Sequence, residues 1–390
     1  MKRLKLLIII FILLAYTVNL PVKANADKSG EGNLSGEIEG LITSLDLSAF
    51  EEYLKSIPIQ IAGSEDIKTH LIKMLKGESS VEFNTVAEYI IGIFFSGIKS
   101  NLPIFLSIFA LLIICSVISS IRTDRLGGGV YEIVHFACFS VVVCIVCAVA
   151  YSLVSEAKLA IQNTGKAVQS IFPIMLTLMT VTGNTSSVAV YNPAMLFISD
   201  FVVILINKLI FPVILGMLAI CVISNVCKTV KLSGILSFSS SSIKWIIGLV
   251  ATVFSLFLTV RGLNSGIYDG ISLRALKYTV NSSVPLVGGI LRDGLDLILA
   301  SGILVKNALG GVALVIIFGI VIQPIIRIVG VTLALKLICA VLEPLSDGRT
   351  TGFINSVCQV TTYAIASVIM VALMYVIIII LIICSSQMLF

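Results

Sequence analysis

At 390 residues, with 58% hydrophobic and only 12% charged side chains, the chain is too apolar for a soluble globular fold, in which about 25% of residues are charged. Its formal charge of +5 is unevenly spread: the first 24 residues carry +4, residues 25–100 carry −6 and residues 101–390 carry +7. An acidic exported part followed by a basic membrane part fits the positive-inside pattern rather than a nucleic-acid footprint. The nine cysteines, all in or beside apolar runs and none in residues 27–100, imply no disulfide framework. Cys144 and Cys147 form a CxxC inside VVVCIVCAV, where they read as packing residues.

The expected fold class is all-α: a polytopic helical membrane protein with a cleavable signal peptide and a small exported helical segment. Residues 1–26 have a basic start, an apolar run from Leu6 to Leu14 and the small-residue triplet Ala24, Asn25, Ala26, the pattern of a signal peptide cleaved before Asp27. Residues 27–100 form the acidic exported segment. Leu41, Leu45, Phe50 and Leu54, then Ile67, Leu71, Ile72 and Leu75, recur at helical spacing, and the periodicity predicts two or three short amphipathic helices. Residues 101–390 form the polytopic region.

Leu102–Ile121 reads as the first span, ending at Arg122, Asp124 and Arg125, which mark a cytoplasmic turn. Tyr131–Val154 returns, with Glu132 and His135 one turn apart at its start. The polar run Ser155–Lys166 reads as an external loop. Val168–Val181, with Phe172-Pro173, leads into the uncharged polar run Thr182–Ser187 and suggests a bent or re-entrant helix. Pro193–Val226 is long enough for one tilted helix or for two half-spans broken near Asn207 and Lys208. Trp245, the sole tryptophan, reads as an interfacial anchor of a span ending near Arg261. Gly311–Val341 includes Pro324, Arg327 and Lys336, and Val357–Cys384 supplies the last span. By bilayer length the total is about seven to nine spans or half-spans.

The stretch with the most chemistry is Tyr278–Gly311, YTVNSSVPLVGGILRDGLDLILASGILVKNALGG. A charge at membrane depth costs roughly 2.5 to 3.5 kcal/mol on insertion scales unless it is paired or wetted, so Arg292, Asp293, Asp296 and Lys306 need partners. On one helix Arg292, Asp293 and Asp296 share a broad face, and Lys306 lies about 15 Å further along the axis. Pro285, Gly288 and Gly289 are candidates for a helix break, the device by which transporters expose backbone groups near the bilayer midplane. The alternative is that small residues allow close helix packing and the charges pair to fix it.

The run KYTVNSSVPLVGG, the acids at Asp293 and Asp296, the KNALGG at Lys306–Gly311 and the phrase LDLSAFEEYL at Leu45–Leu54 resemble the signature of the stage III sporulation protein AE family. The resemblance implies a polytopic subunit, permease- or channel-like, of an export complex joining mother cell and forespore. It implies residence in the outer forespore membrane, with the exported segment facing the intermembrane space. The partners implied are membrane lipid and other stage III sporulation A-operon proteins, including a ring-forming subunit and an ATPase.

No enzyme is expected, and no cofactor, metal or nucleic acid. Two histidines 65 positions apart cannot form an HExxH zinc site, and the phosphate-binding GxxxxGK[ST] loop is missing from the sequence. Tyr268-Asp269 with Asp293 and Asp296 superficially resembles an intramembrane aspartyl protease, but the second motif's Gly-x-Gly-Asp is not there, and Ser301-Gly302 lacks the preceding glycine of a serine intramembrane protease. The rival function is a stand-alone secondary transporter using Asp293, Asp296 and Lys306 to couple an ion to a small solute.

Overall fold

The computed structural model describes residues 128–185, 187–189, 200–226, 232–262, 275, 288–342 and 348–385, with scattered positions between 40 and 114. The expected signal peptide, exported helices, Arg122–Arg125 turn and Pro285 lie outside the described residues. Among the described residues every regular element is helical, and five stretches are long and apolar enough to cross a membrane. The all-α membrane class is therefore observed.

The elements are α1 (Gly128–Val181), a π turn (Ile206–Ile210) leading into α2 (Phe211–Val226), α3 (Ser233–Gly262), α4 (Gly288–Leu342) and α5 (Gly348–Cys384). α1 and α4 have 54 and 55 residues, about 80 Å each at 1.5 Å per residue. A single crossing needs about 20 residues, so both far exceed one bilayer.

α1 corrects the sequence reading. Ser155–Lys166 is not a loop but the middle of this helix. Ala157, Ala160, Ile161, Thr164, Ala167 and Val168 are buried, at helical spacing, while Lys158 and Lys166 point outward. The segment is amphipathic, and its polarity belongs to one face. α1 ends in a Schellman motif: Gly183 is left-handed (φ 79°), its N–H donates to the Thr180 carbonyl at 3.0 Å, and the Asn184 N–H donates to the Met179 carbonyl at 2.9 Å.

Residues 200–226 run as one continuous helix, which decides for the single helix over two half-spans. The irregularity expected near Asn207 and Lys208 takes the form of the π turn, closed by the Phe211 N–H donating to the Ile206 carbonyl. One extra residue is accommodated there without breaking the helix.

α1, α4 and α5 make the core. Glu156 pairs with Arg327, and a methyl group at Gly302 would meet Thr182, so α4 runs antiparallel to α1. Lys306 meets Ile382 and Thr332 meets Thr361, so α5 runs antiparallel to α4 and parallel to α1. The Phe139 and Phe353 rings, with centroids 6.1 Å apart, and Gly165 against the Tyr375 side chain show the α1–α5 register. The continuous helix of residues 200–226, which ends in α2, crosses antiparallel to both, by Val203 against Gly165 and Asn225 against Gly352. α3 packs on the outside of α2 and α5, with Lys244 Nζ 5.8 Å from the centre of the Tyr363 ring. Its Trp245 is 71% exposed.

Candidate membrane-embedded polar site

The candidate charges all lie on α4, which begins with Gly288 and Gly289 and continues unbroken past Gly310 and Gly311. Arg292 and Asp293 occupy its second turn; their side chains lie outside the described set. Asp296 is half-buried. Lys306 is fully buried, at 0% exposure. Since Asp296 and Lys306 are ten residues apart on one helix, about 15 Å of rise separates them.

Lys306 has a specific partner. Its Nζ donates to the Ile382 carbonyl at 2.7 Å and to the Ile383 carbonyl at 3.2 Å, both in the last turn of α5. The last four carbonyls of a helix have no partner within it and carry the negative end of the helix dipole. The ammonium therefore caps α5 from a neighbouring helix. Ser385 completes the cap: its N–H donates to the Leu381 carbonyl and its hydroxyl to that of Ile382, each at 2.9 Å.

The small residues around Lys306 are sites of close approach. A Cβ at Gly302 would lie 2.8 Å from Thr182 Cγ2, and one at Gly310 would lie 2.6 Å from Ile383 Cδ1 and 3.2 Å from Met175 Cε. Gly302 and Gly310 thus let α4 sit against the end of α1 and the end of α5, as small residues do in membrane helix packing. At Gly294 and Gly311 a Cβ would meet nothing within 4 Å.

Two polar contacts escaped the sequence reading. Arg327 Nη1 donates to Glu156 Oε2 at 2.9 Å, linking the middles of α4 and α1, with the two side chains 38% and 23% exposed. Glu156 falls in the stretch that reads as an external loop, and Arg327 in an apolar run with no partner evident; the available signal was one isolated acid and one isolated arginine. Arg327 Nε is buried without a hydrogen-bond partner among the described residues. Five residues on, the Thr332 and Thr361 hydroxyls are 3.1 Å apart, a polar seam between α4 and α5. Asp200 accepts a hydrogen bond from the Gln169 side chain of α1.

This is a polytopic α-helical membrane protein with charged groups built between its longest helices. The family model for "Stage III sporulation protein AE" matches residues 66–386, and the chain belongs to that family. It is also similar to the Stage III sporulation protein AE of Bacillus subtilis (strain 168), with 21% identity over 381 residues that cover 96% of each chain. No solved structure matches it.

Proposed function

We propose that the chain is a non-enzymatic, channel- or permease-like membrane subunit of a sporulation export complex connecting mother cell and forespore, needed for forespore development. The observation that carries this reading is the family match across residues 66–386 on a bundle with five helices able to cross a membrane. In this reading residues 1–26 are removed, residues 27–100 face the intermembrane space from the outer forespore membrane, and residues 101–390 form the membrane part. A ring-forming subunit docks on the exported side, and an ATPase supplies energy that this chain has no phosphate-binding loop to harvest. Arg292, Asp293 and Asp296 form the polar site at the start of α4, while Lys306 holds the end of α5 that packs beside it.

Asp293→Asn and Asp296→Asn test the site in sporulating cells, with the chain's membrane level and its co-purification with sister subunits measured alongside forespore gene expression. Loss of forespore expression with assembly intact is the expected result. Normal sporulation in both variants overturns the role given to these acids.

A further inference from the structure

We propose that the outward face of α1 from Ser155 to Thr180 is the wall of a water-filled path through the membrane, and that its lysines make the path favour small anions. The inference rests on the conduit reading above and gives it a surface and a solute class.

Ser155, Lys158, Gln162, Lys166 and Gln169 follow one another at helical spacing, and Thr180 lies on the same line beyond the exposed Pro173. At 100° per residue they fall within an arc of about 80° and span nearly 40 Å of rise, with the exposed Leu159 the apolar residue at its edge. All six polar residues are exposed or half-exposed. The opposite face of the same segment is buried. This polar stripe is longer than the roughly 30 Å hydrocarbon layer.

A helix emerging into water would also show a polar face, but its neighbours decide against that. Antiparallel register puts α4 residues near 304–329 beside this part of α1, and parallel register puts α5 there from about residue 366 onward. The outward positions of α5 are Ala366, Met370, Leu373 and Ile377, all half-exposed and apolar. Those of α4 include Leu304, Val312, Val315 and Phe318. Asn307, Gln323 and the ion-paired Arg327 are the polar exceptions, and Gln323, one turn before Arg327, shares the face that reaches Glu156. At one depth, then, α5 and most of α4 present a lipid-compatible surface while α1 presents a water-compatible one. Polar backbone and side chains at membrane depth persist where they line a wet cavity.

The charge on this face is cationic. Glu156 is neutralised by Arg327; Asp200, held by Gln169, keeps its negative charge but is outnumbered by the exposed Lys158, Lys166 and, on the neighbouring helix, Lys208. Like-signed charge along a low-dielectric wall concentrates the opposite ion.

The test uses the full chain in membranes of sporulating cells, with all nine native cysteines replaced by alanine or serine and sporulation by this background confirmed. Single cysteines are introduced as Gln162→Cys and Thr177→Cys on α1, and as Leu373→Cys and Ile377→Cys on α5. Each is treated with membrane-impermeant thiosulfonates of either charge. Labelling at positions 162 and 177 but not at 373 and 377 is expected. Position 162 lies one turn from both lysines. A unit charge about 6 Å away in water changes a rate roughly threefold, so the anionic reagent should lead the cationic one by about tenfold or more there. That preference should collapse with Lys158→Gln and Lys166→Gln. Labelling of all four positions places this half of the bundle outside the membrane and overturns the proposal. Labelling of none means the face is sealed, and equal rates for the two reagents remove the anion preference. The chain can remain essential for sporulation in either case, so failure here is distinguishable from failure of the conduit reading.

Discussion

Replacing Lys306 by methionine keeps an unbranched apolar stem of nearly the same length and removes the ammonium. Two effects oppose each other. The variant escapes the cost of burying a charge, which is several kcal/mol in an apolar interior. It also leaves the end of α5 without its cap, and because only one partner has been changed, the acceptors remain. The Ile382 carbonyl keeps the Ser385 hydroxyl, so the group left wanting among the described residues is the part-buried Ile383 carbonyl; an unsatisfied acceptor out of water costs about 1–3 kcal/mol. The escaped burial cost is offset by the ammonium's charge-assisted bonds to the two carbonyls, which are lost with it. The acceptor left bare therefore sets the balance, a net loss of about 2 kcal/mol for Lys306→Met. Lys306→Glu should cost about 5 kcal/mol or fail to insert, because it sets a negative charge against the negative end of α5. Thermal unfolding of the purified chain in detergent gives the global figure. Hydrogen exchange at the Ser385 amide, which donates to the Leu381 carbonyl, reads the cap locally and should quicken in the methionine variant. A methionine variant that matches the parent in both measurements, or a tolerated glutamate, refutes the assignment of Lys306 as the α5 cap.

Three further outcomes follow from the packing. Glu156→Gln and Arg327→Gln should each cost about 2 kcal/mol, between the value of an exposed pair and that of a buried one broken on one side; a double-mutant cycle in detergent should return a coupling near 1 kcal/mol, and a coupling of zero means that the contact contributes nothing. Gly302→Ala places a Cβ 2.8 Å from Thr182 Cγ2, whereas Gly311→Ala meets nothing within 4 Å; the first should destabilise by about 1–2 kcal/mol and the second should be neutral or slightly stabilising, and equal melting temperatures contradict the close α1–α4 approach. Gly183→Ala forces a side chain into the left-handed region at about 1–2 kcal/mol, which should appear as faster amide exchange at Gly183 and Asn184.

Much of the architecture was legible because lipid admits few solutions. Long apolar runs can satisfy their backbone only as helices, and the C-terminal bounds of α3 and α5 fall near Arg261 and Cys384, whereas both helices start earlier than expected, at Ser233 rather than near Trp245 and at Gly348 rather than Val357. The errors came where side-chain polarity was allowed to outweigh periodicity. Ser155–Lys166 contains three charged or carboxamide-bearing side chains on one face, Lys158, Gln162 and Lys166, with Gln169 following, yet Ala157, Ala160, Ile161 and Thr164 keep the helical rhythm on the other. Weighing the buried set alone would have extended α1 through it. The π turn at Ile206–Ile210 was half visible: Asn207 and Lys208 flagged an irregularity, but polarity does not say whether a helix breaks or bulges. Partners were not legible at all. Lys306 finds carbonyls 76 and 77 residues away, and Arg327 finds Glu156 across 171. A backbone carbonyl leaves no mark in the amino-acid pattern, so the requirement that Lys306 be satisfied could be deduced while its means of satisfaction could not.

The most direct test of the account is the count of heat-resistant spores, with a late forespore reporter, in the host strain with and without this chain. A membrane subunit of a mother cell–forespore conduit predicts that engulfed forespores form, that the late reporter stays silent, and that heat-resistant spores fall by orders of magnitude until the intact chain is restored. Spores at the parental frequency in its absence, with the reporter active on schedule, contradict the proposal.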